Sequence, residues 1–324
     1  MKKRICKLCA LFLAAAALSC NAALAEETVV RVGSLKGPTS MGIVSMMEKS
    51  EAGETSYDYE FTMAAAADEL LAQVISQDLD IAMVPANVAS VLYNKTEGGV
   101  HVVDINTLGV LYIVECGDSI RSISDLAGKT VYLTGKGTSP DYVLQYLLKE
   151  NGLTADDVTL EYKSEATEVV SVLAGDSSAI GLLPQPFVTA ASMQNESLHI
   201  ALDLTKEWEN IQKESGSSLV TGVTIVRDGF LKENPDAVED FLAEHELSAA
   251  YTNEHPAEAA EKIAALGIVA KAPIAEKAIP YCNITCIEGE EMQSALSGYL
   301  GVLYSLDPAA VGGSLPAEDF YYIP

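Results

Sequence analysis

The amino-acid sequence predicts an α/β protein of two lobes, each a mainly parallel sheet flanked by helices, with two crossing strands as the hinge. Three observations lead there. Behind an N-terminal leader about 300 residues remain, and single hydrophobic cores stop growing near ~250 to 300 residues, which favours two lobes. Short β-type runs, each ending in a turn that opens a segment of helical spacing, recur along the chain, as in parallel sheets covered by helices. Two longer β-rich stretches, 100–114 and 219–227, are placed to carry the chain out of one lobe and back.

Residues 1–25 read as a secretory signal: a basic start at Lys2, Lys3, Arg4 and Lys7, an apolar run from Leu8 to Leu18, and Ala23-Leu24-Ala25 as an A-x-A cleavage pattern. The apolar run is shorter than the roughly 20 residues a bilayer demands. Leu18-Ser19-Cys20 also matches the end of a lipobox, so lipidation at Cys20 and cleavage after Ala25 both fit. Either route takes the protein out of the cytoplasm.

The elements follow in order. Thr28 to Ser34 is β-branched and alternating, a first strand; the turn Lys36 to Ser40 then opens a helix to about Lys49. A strand over 57–63 meets Ala64-Ala65-Ala66 and a helix with apolar residues at Leu70, Leu71, Val74 and Ile75. Asp80 to Val84 is a short buried-type strand with Pro85-Ala86-Asn87 at its carboxyl end and a helix beyond. The stretch 100–114 reads as one long crossing strand. A short helix at 122–126, a strand at 129–133, and a helix from Ser139-Pro140-Asp141 to Asn151 follow, with Ser139 as cap and Asp141 against the helix dipole. Strands at 158–163, 179–183 and 199–203 alternate with helices at 165–174 and from Phe187, and Pro184-Gln185-Pro186 ends the middle strand. The second crossing is 219–227, after which spacing is helical over 235–251, 256–266, 274–279 and 288–304.

Composition excludes several classes. The formal charge is -26, and the four basic and no acidic residues of the signal leave -30 on the remainder, which opposes nucleic acid and anionic membrane surfaces as partners. Of six cysteines, Cys116, Cys282 and Cys286 lie beyond the signal; Cys282 and Cys286 are close enough to bridge, though buried thiols are the commoner outcome. The four histidines, 101, 199, 245 and 255, show no ligand spacing, so no metal is expected. No G-x-S-x-G elbow, H-E-x-x-H or phosphate loop occurs, so no catalytic residue and no cofactor are expected.

The segments L-K-G-P-T-S-M-G, D-I-A-M-V-P-A-N-V-A-S, S-I-S-D-L-A-G-K-T-V-Y-L-T-G, A-I-G-L-L-P-Q-P-F and T-G-V-T-I-V-R-D-G-F-L-K-E-N-P-D-A-V-E-D-F-L occur in that order. Together they resemble the nitrate/sulfonate/taurine branch of ABC-transporter substrate-binding proteins, which also holds thiamine-pyrimidine and riboflavin-precursor binders and has the type II periplasmic-binding-protein fold. The resemblance covers essentially the whole chain beyond the signal. It implies lobe 1 from 26–111 plus 223–324, lobe 2 from 112–222, hinges near Leu111 and Gly222, and an ABC permease and ATPase as partners. Membrane contact would come only through a lipid on Cys20. A pyrimidine-synthase-like enzyme shares this fold, but no histidine falls on an expected cleft loop. A sensor domain could use the same cleft.

Candidate ligand contacts sit at strand ends, where helix amino termini present free N–H groups. One jaw is Lys36, Gly37, Pro38, Thr39 and Ser40; the opposing jaw is Gly137, Thr138 and Ser139, behind Lys136. Ala64 and Ala65 leave room for a flat group, since Asp68 and Glu69 already compensate their helix. Pro85, Ala86 and Asn87 offer an amide, as do Pro184 and Gln185 in the other lobe; relatives often carry Glu at that last position, which argues against a zwitterion here. Thr221 lies on the return crossing. Tyr112 and Tyr142 are candidate aromatic walls, whereas Trp208 is expected to pack its helix onto a sheet. The expected ligand is a small sulfonate or other oxyanion, with a thiamine-type heterocycle as the alternative.

Overall fold

The computed structural model describes residues 28–154 and 156–324; the signal, its cleavage pattern and Cys20 lie outside the described residues. The chain begins with β1 (Val29–Leu35), a single turn α1 (Pro38–Met41), α2 (Val44–Glu51), β2 (Asp58–Ala64), α3 (Ala67–Ile75), β3 (Ile81–Pro85), α4 (Ala86–Lys95) and β4 (Val100–Leu108). Through Gly109 and Val110 it enters β5 (Leu111–Glu115), β6 (Thr130–Thr134), α5 (Ser139–Glu150), β7 (Thr159–Lys163), α6 (Ala166–Gly175), β8 (Ile180–Pro184), α7 (Phe187–Gln194), β9 (His199–Asp203) and α8 (Leu204–Ile211). It returns as β10 (Val220–Arg227), α9 (Asp228–Glu233), α10 (Pro235–Glu254), α11 (Pro256–Ala265), α12 (Ala272–Ala278), β11 (Ile284–Ile287) and α13 (Gly289–Leu306).

These strands make two mixed sheets, ordered β11-β4-β10-β3-β1-β2 and β7-β6-β8-β5-β9. In the first, β1 pairs in parallel with β2 and β3, and β10 runs antiparallel between β3 and β4, so β1 to β4 all point the same way. In the second, β6, β7 and β8 are parallel and β5 opposes β8 and β9. Strands β1, β2, β3, β6 and β8 end in the turns that the sequence marks as ligand loops, because strand, turn and helix follow one another with short connections.

Four local expectations change. The stretch 100–114 is not one strand: it breaks at Gly109 and Val110, and its halves join different sheets. A Cβ at position 109 would lie 2.2 Å from both Leu219 Cδ2 and Thr205 Oγ1, so glycine is what lets the two passages between sheets lie side by side. All of β10 belongs to the first sheet, which puts the return passage ahead of Val220, not within the strand. The helix expected from the Lys36 turn to Lys49 is split, since α1 ends at Met41 and α2 starts at Val44. Finally β11, four residues bordering β4, lies in a region whose spacing reads as helical. Cys282 and Cys286 are both free thiols.

One continuous apolar cluster joins the sheets through α5, α8 and α13. At its centre Trp208 is fully buried, 4.7 Å from the Tyr146 ring and 5.6 Å from that of Tyr299, with its indole N–H donated to Ser217 Oγ at 3.2 Å. This is the packing role expected of it, and truncating such a side chain costs about 3 to 5 kcal/mol. A second knot closes the far end of the first sheet. Asp80, just before β3, accepts from the Arg31 backbone N–H at 3.0 Å, from Arg31 Nε and Nη2 at 2.8 and 2.7 Å, and from Arg227 Nη2 at 2.6 Å.

Candidate functional site

Between the sheets lie two adjoining cavities of about 520 and 370 Å3, which share Val110, Pro184 and Thr221 in their linings and so form one cleft. The larger half brings together Lys36, Gly37, Pro38 and Thr39 after β1 with Pro184 and Gln185 after β8. The smaller joins Pro85 and Asn87, after β3, to Thr138 and Ser139 at the start of α5. Ser139 Oγ donates to Asn87 Oδ1 across the cleft at 3.4 Å. Both halves sit at the carboxyl edges of the parallel strands, where open α/β sheets bind ligands.

Seven of the sequence candidates, Tyr142 among them, do not line the cleft. Ser40 is fully buried, its hydroxyl held by Ser34 Oγ and the Leu35 carbonyl. Ala64 and Ala86 are buried in the core. Ala65 is exposed between β2 and α3 but forms no part of either cavity, and Asp68 and Glu69 do occupy the first turn of that helix. Tyr112 is 2% exposed and donates its hydroxyl to the Tyr281 carbonyl at 2.7 Å, so it braces β5 against the segment after α12 and is not a cleft wall. Gly137 is exposed but lines neither cavity, and its N–H is donated to Asp141 Oδ2 at 2.8 Å.

That last bond separates the two jaws. Asp141, 3% exposed, also accepts from Gln145 Nε2 and Tyr162 Oη at 2.6 and 2.7 Å. Its carboxylate thus compensates the positive end of α5, whose cap position is Thr138 and not Ser139. Lys136 lies 5.4 Å over the Tyr162 ring and lines neither cavity. At the opposing turn, Thr39 donates back to the Leu35 carbonyl at 2.9 Å and α1 has no acidic residue. Among the described residues Lys36 is the one charged side chain lining either half of the cleft.

Gln185 adds a donor at the boundary. Its Oε1 accepts from Thr189 N and Oγ1 at 3.3 and 2.9 Å, which leaves Nε2 buried and without a partner. Orphaned buried donors are uncommon, and this one belongs to a residue lining the half that holds Lys36. Asn87 does not cap its own helix: Nδ2 donates to the Ala310 carbonyl at 3.3 Å, leaving Oδ1 for Ser139.

Apolar walls complete the cleft, and sequence reasoning missed most of them. Phe187, Ile268, Val269 and Ile274 line the larger half; Val143, Leu219 and Tyr299 line the smaller. Their signal was only that of core residues, since which side of a helix faces a cleft depends on the partner lobe. Tyr142 stands behind the smaller half, where burial and its 2.8 Å bond to Asp307 push its hydroxyl up to about 12. It therefore stays protonated and ties α5 to the end of α13.

The family model described as NMT1/THI5 like matches residues 98–259, half of the chain. No curated protein matches. Among solved structures, an ABC transporter protein from Parabacteroides distasonis is 25% identical, with 92% of this chain and 99% of that one covered at a TM-score of 0.76. The periplasmic aliphatic sulphonate binding protein of Escherichia coli is 15% identical over 91% of this chain and 92% of its own, TM-score 0.71, and so speaks to the fold alone. A Candida albicans protein described as exhibiting the generic periplasmic binding protein structural fold is 14% identical, covering 90% and 93%, at a TM-score of 0.54. Two mixed sheets flanked by helices, with a cleft at their carboxyl edges, are thus the periplasmic-binding-protein fold, and the chain belongs to the NMT1/THI5-like family.

Proposed function

We propose that this protein is the extracytoplasmic solute-binding component of an ABC importer, taking a small organic anion of sulfonate type. The observation that carries the reading is the charge pattern of the cleft. A protein of net charge -26 places one cation, Lys36, and no carboxylate on the lining, and the orphaned Gln185 Nε2 adds a donor nearby. A cation and a spare amide donor with no carboxylate beside them suit an anionic head group, and the apolar walls suit an organic body. The ABC transporter protein supports the importer role.

In this reading the lobes divide at Gly109–Val110 and again just ahead of Val220, and closure about these two passages traps the ligand and presents the closed form to the permease and ATPase. The protein binds and releases its ligand unchanged. The signal delivers it outside the cytoplasm, and the mass of the mature chain tells cleavage after Ala25 from a lipid on Cys20.

A thermal-shift screen of sulfonates, carboxylates, pyrimidines and flavins tests the assignment. A sulfonate that raises Tm in proportion to the logarithm of its concentration, and that is recovered intact and stoichiometric, supports it. A response to pyrimidines alone would overturn the ligand class, and consumption of the ligand would overturn the binding role.

A further inference from the structure

On the first sheet, away from the cleft linings, three side chains from distant parts of the chain converge. Asp104 on β4 and His245 on α10 are fully buried, and Cys286 on the edge strand β11 is half-buried. One ligand atom from each lies within 4.8 Å of the others, the one such His, Cys or acidic grouping among the described residues. We propose that Asp104, His245 and Cys286 form a binding site for a thiophilic divalent cation of the Zn2+ or Co2+ class, with the Glu288 carboxylate as the fourth ligand.

Charge is the first argument. The Asp104 carboxylate is in the core with His245 Nδ1 at 3.0 Å, and among the described residues no Lys or Arg pairs with it. Cys286 Sγ faces a second carboxylate, Glu288 Oε1, at 3.7 Å. Two carboxylates and a thiol around one imidazole leave a surplus of negative or neutral donors that a divalent cation balances. Buried carboxylates without adequate compensation are unfavourable.

Geometry is the second. Tetrahedral Zn2+ with bonds of ~2.0 Å to N or O and ~2.3 Å to S separates its ligands by roughly 3.3 to 3.8 Å. Asp104, His245 and Cys286 lie within 4.8 Å of one another and must draw in by up to about 1 Å to reach that, and Glu288, at the start of α13 with Oε1 3.7 Å from Cys286 Sγ, must turn toward them to complete the set. Asp104 is already oriented as a second layer would require: Oδ1 accepts from Thr224 Oγ1 at 2.8 Å, and Asn106 Nδ2 holds Thr224 at 3.2 Å. His245 keeps one ring nitrogen buried without a partner, so its bond to Asp104 leaves the imidazole only half satisfied.

The donor set decides the metal. A thiolate, an imidazole and carboxylates select Zn2+ or Co2+ over Mg2+ and Ca2+, which take oxygen ligands in higher number. On binding, the Cys286 S–H bond breaks and its proton goes to solvent, the proton between His245 Nδ1 and Asp104 moves to the unpartnered Nε2, and the freed sulfur, nitrogen and oxygen pairs are donated to the metal; no oxidant or reductant is involved. Entry is from the solvent side of β11. The site would staple the edge strand to β4 and α10.

Metal titration of the purified full chain, stripped with chelator, tests this. Co2+ is expected to give a near-ultraviolet thiolate-to-metal charge-transfer band saturating at one equivalent, and dialysed protein to retain one Zn2+. Cys286→Ser should abolish the band and weaken Zn2+ by at least about tenfold, with the metal-free Tm unchanged as the check on folding. Glu288→Gln should keep the band while weakening Zn2+. Absence of the band in the wild-type chain at saturating Co2+, or equal Zn2+ retention by Cys286→Ser, would overturn the proposal; neither result depends on what the cleft binds.

Discussion

Replacing Asp80 with Asn separates what holds lobe 1 together from what binds the ligand. The carboxylate takes three bonds from Arg31 and one from Arg227, and is 2% exposed. Burial by itself would raise its pKa, but the hydrogen bonds from Arg31 and Arg227 outweigh burial and hold it below the ordinary 3.8. Arg31 is raised in turn, chiefly by its bond to Asp80, so the partners agree. Removing one member of a buried pair costs about 3 to 5 kcal/mol. The Arg31 side chain is 37% exposed and can turn to water once released, whereas that of Arg227 is only 16% exposed; the low end, about 3 kcal/mol, is therefore expected. That corresponds to roughly 6 to 10 °C in Tm.

A carboxyl with a depressed folded pKa stabilises above its unfolded value and loses that contribution as pH falls through the folded one. Wild-type stability should therefore decline from about pH 5 downward, and Asp80→Asn should flatten that limb. Urea melts at pH 7 and across the acid range read both quantities. Ligand affinity should not change, because Asp80 and Arg227 lie at the end of β3 and β10 opposite the cleft edge. A loss below about 1 kcal/mol, or parallel acid limbs for the two proteins, would refute the argument.

Three further outcomes follow from the cleft. Lys36→Met should weaken an anionic ligand by about tenfold or more while Lys136→Met leaves it within about twofold, and calorimetry showing equal losses would restore symmetric jaws. Tyr142→Phe removes the bond to Asp307 and should cost about 1.5 to 3 kcal/mol in a denaturant melt, as for hydrogen bonds to charged groups; an unchanged midpoint would mean that the bond does not form in solution. Gly222→Ala places a Cβ 2.5 Å from both Asn106 Oδ1 and Thr39 Cγ2, so it should cost about 1 to 3 kcal/mol by overpacking and also lower affinity by displacing Thr39. Lost stability with affinity intact would remove Thr39 from the site.

Much of this architecture is legible in the sequence because strand, turn and helix leave local marks: β9 falls at His199–Asp203 and the amino end of α10 at Pro235, as the residues alone indicate. What is not legible depends on partners. Among the described residues β11 pairs only with β4, so its four residues carry too little pattern to stand out among helices. The Tyr112 hydroxyl is claimed by a carbonyl 169 residues away. Asp104, His245 and Cys286 are brought together by three separate elements, which no spacing rule for metal ligands detects.

The two Lys-Gly turns are the instructive case. They look alike in sequence, and a symmetric pair of anion sites is the natural reading. Yet the distinguishing residue is visible in the string itself: Asp141 follows Gly137 by four residues and cancels the positive end of α5, while α1 carries no acid and is one turn long. A helix start is an anion site only when no carboxylate of its own already occupies it. Applied to α5, as it is to Asp68 and Glu69 in α3, that rule predicts an asymmetric cleft. Charge then enters on the Lys36 side, and the α5 side supplies hydroxyls and apolar surface.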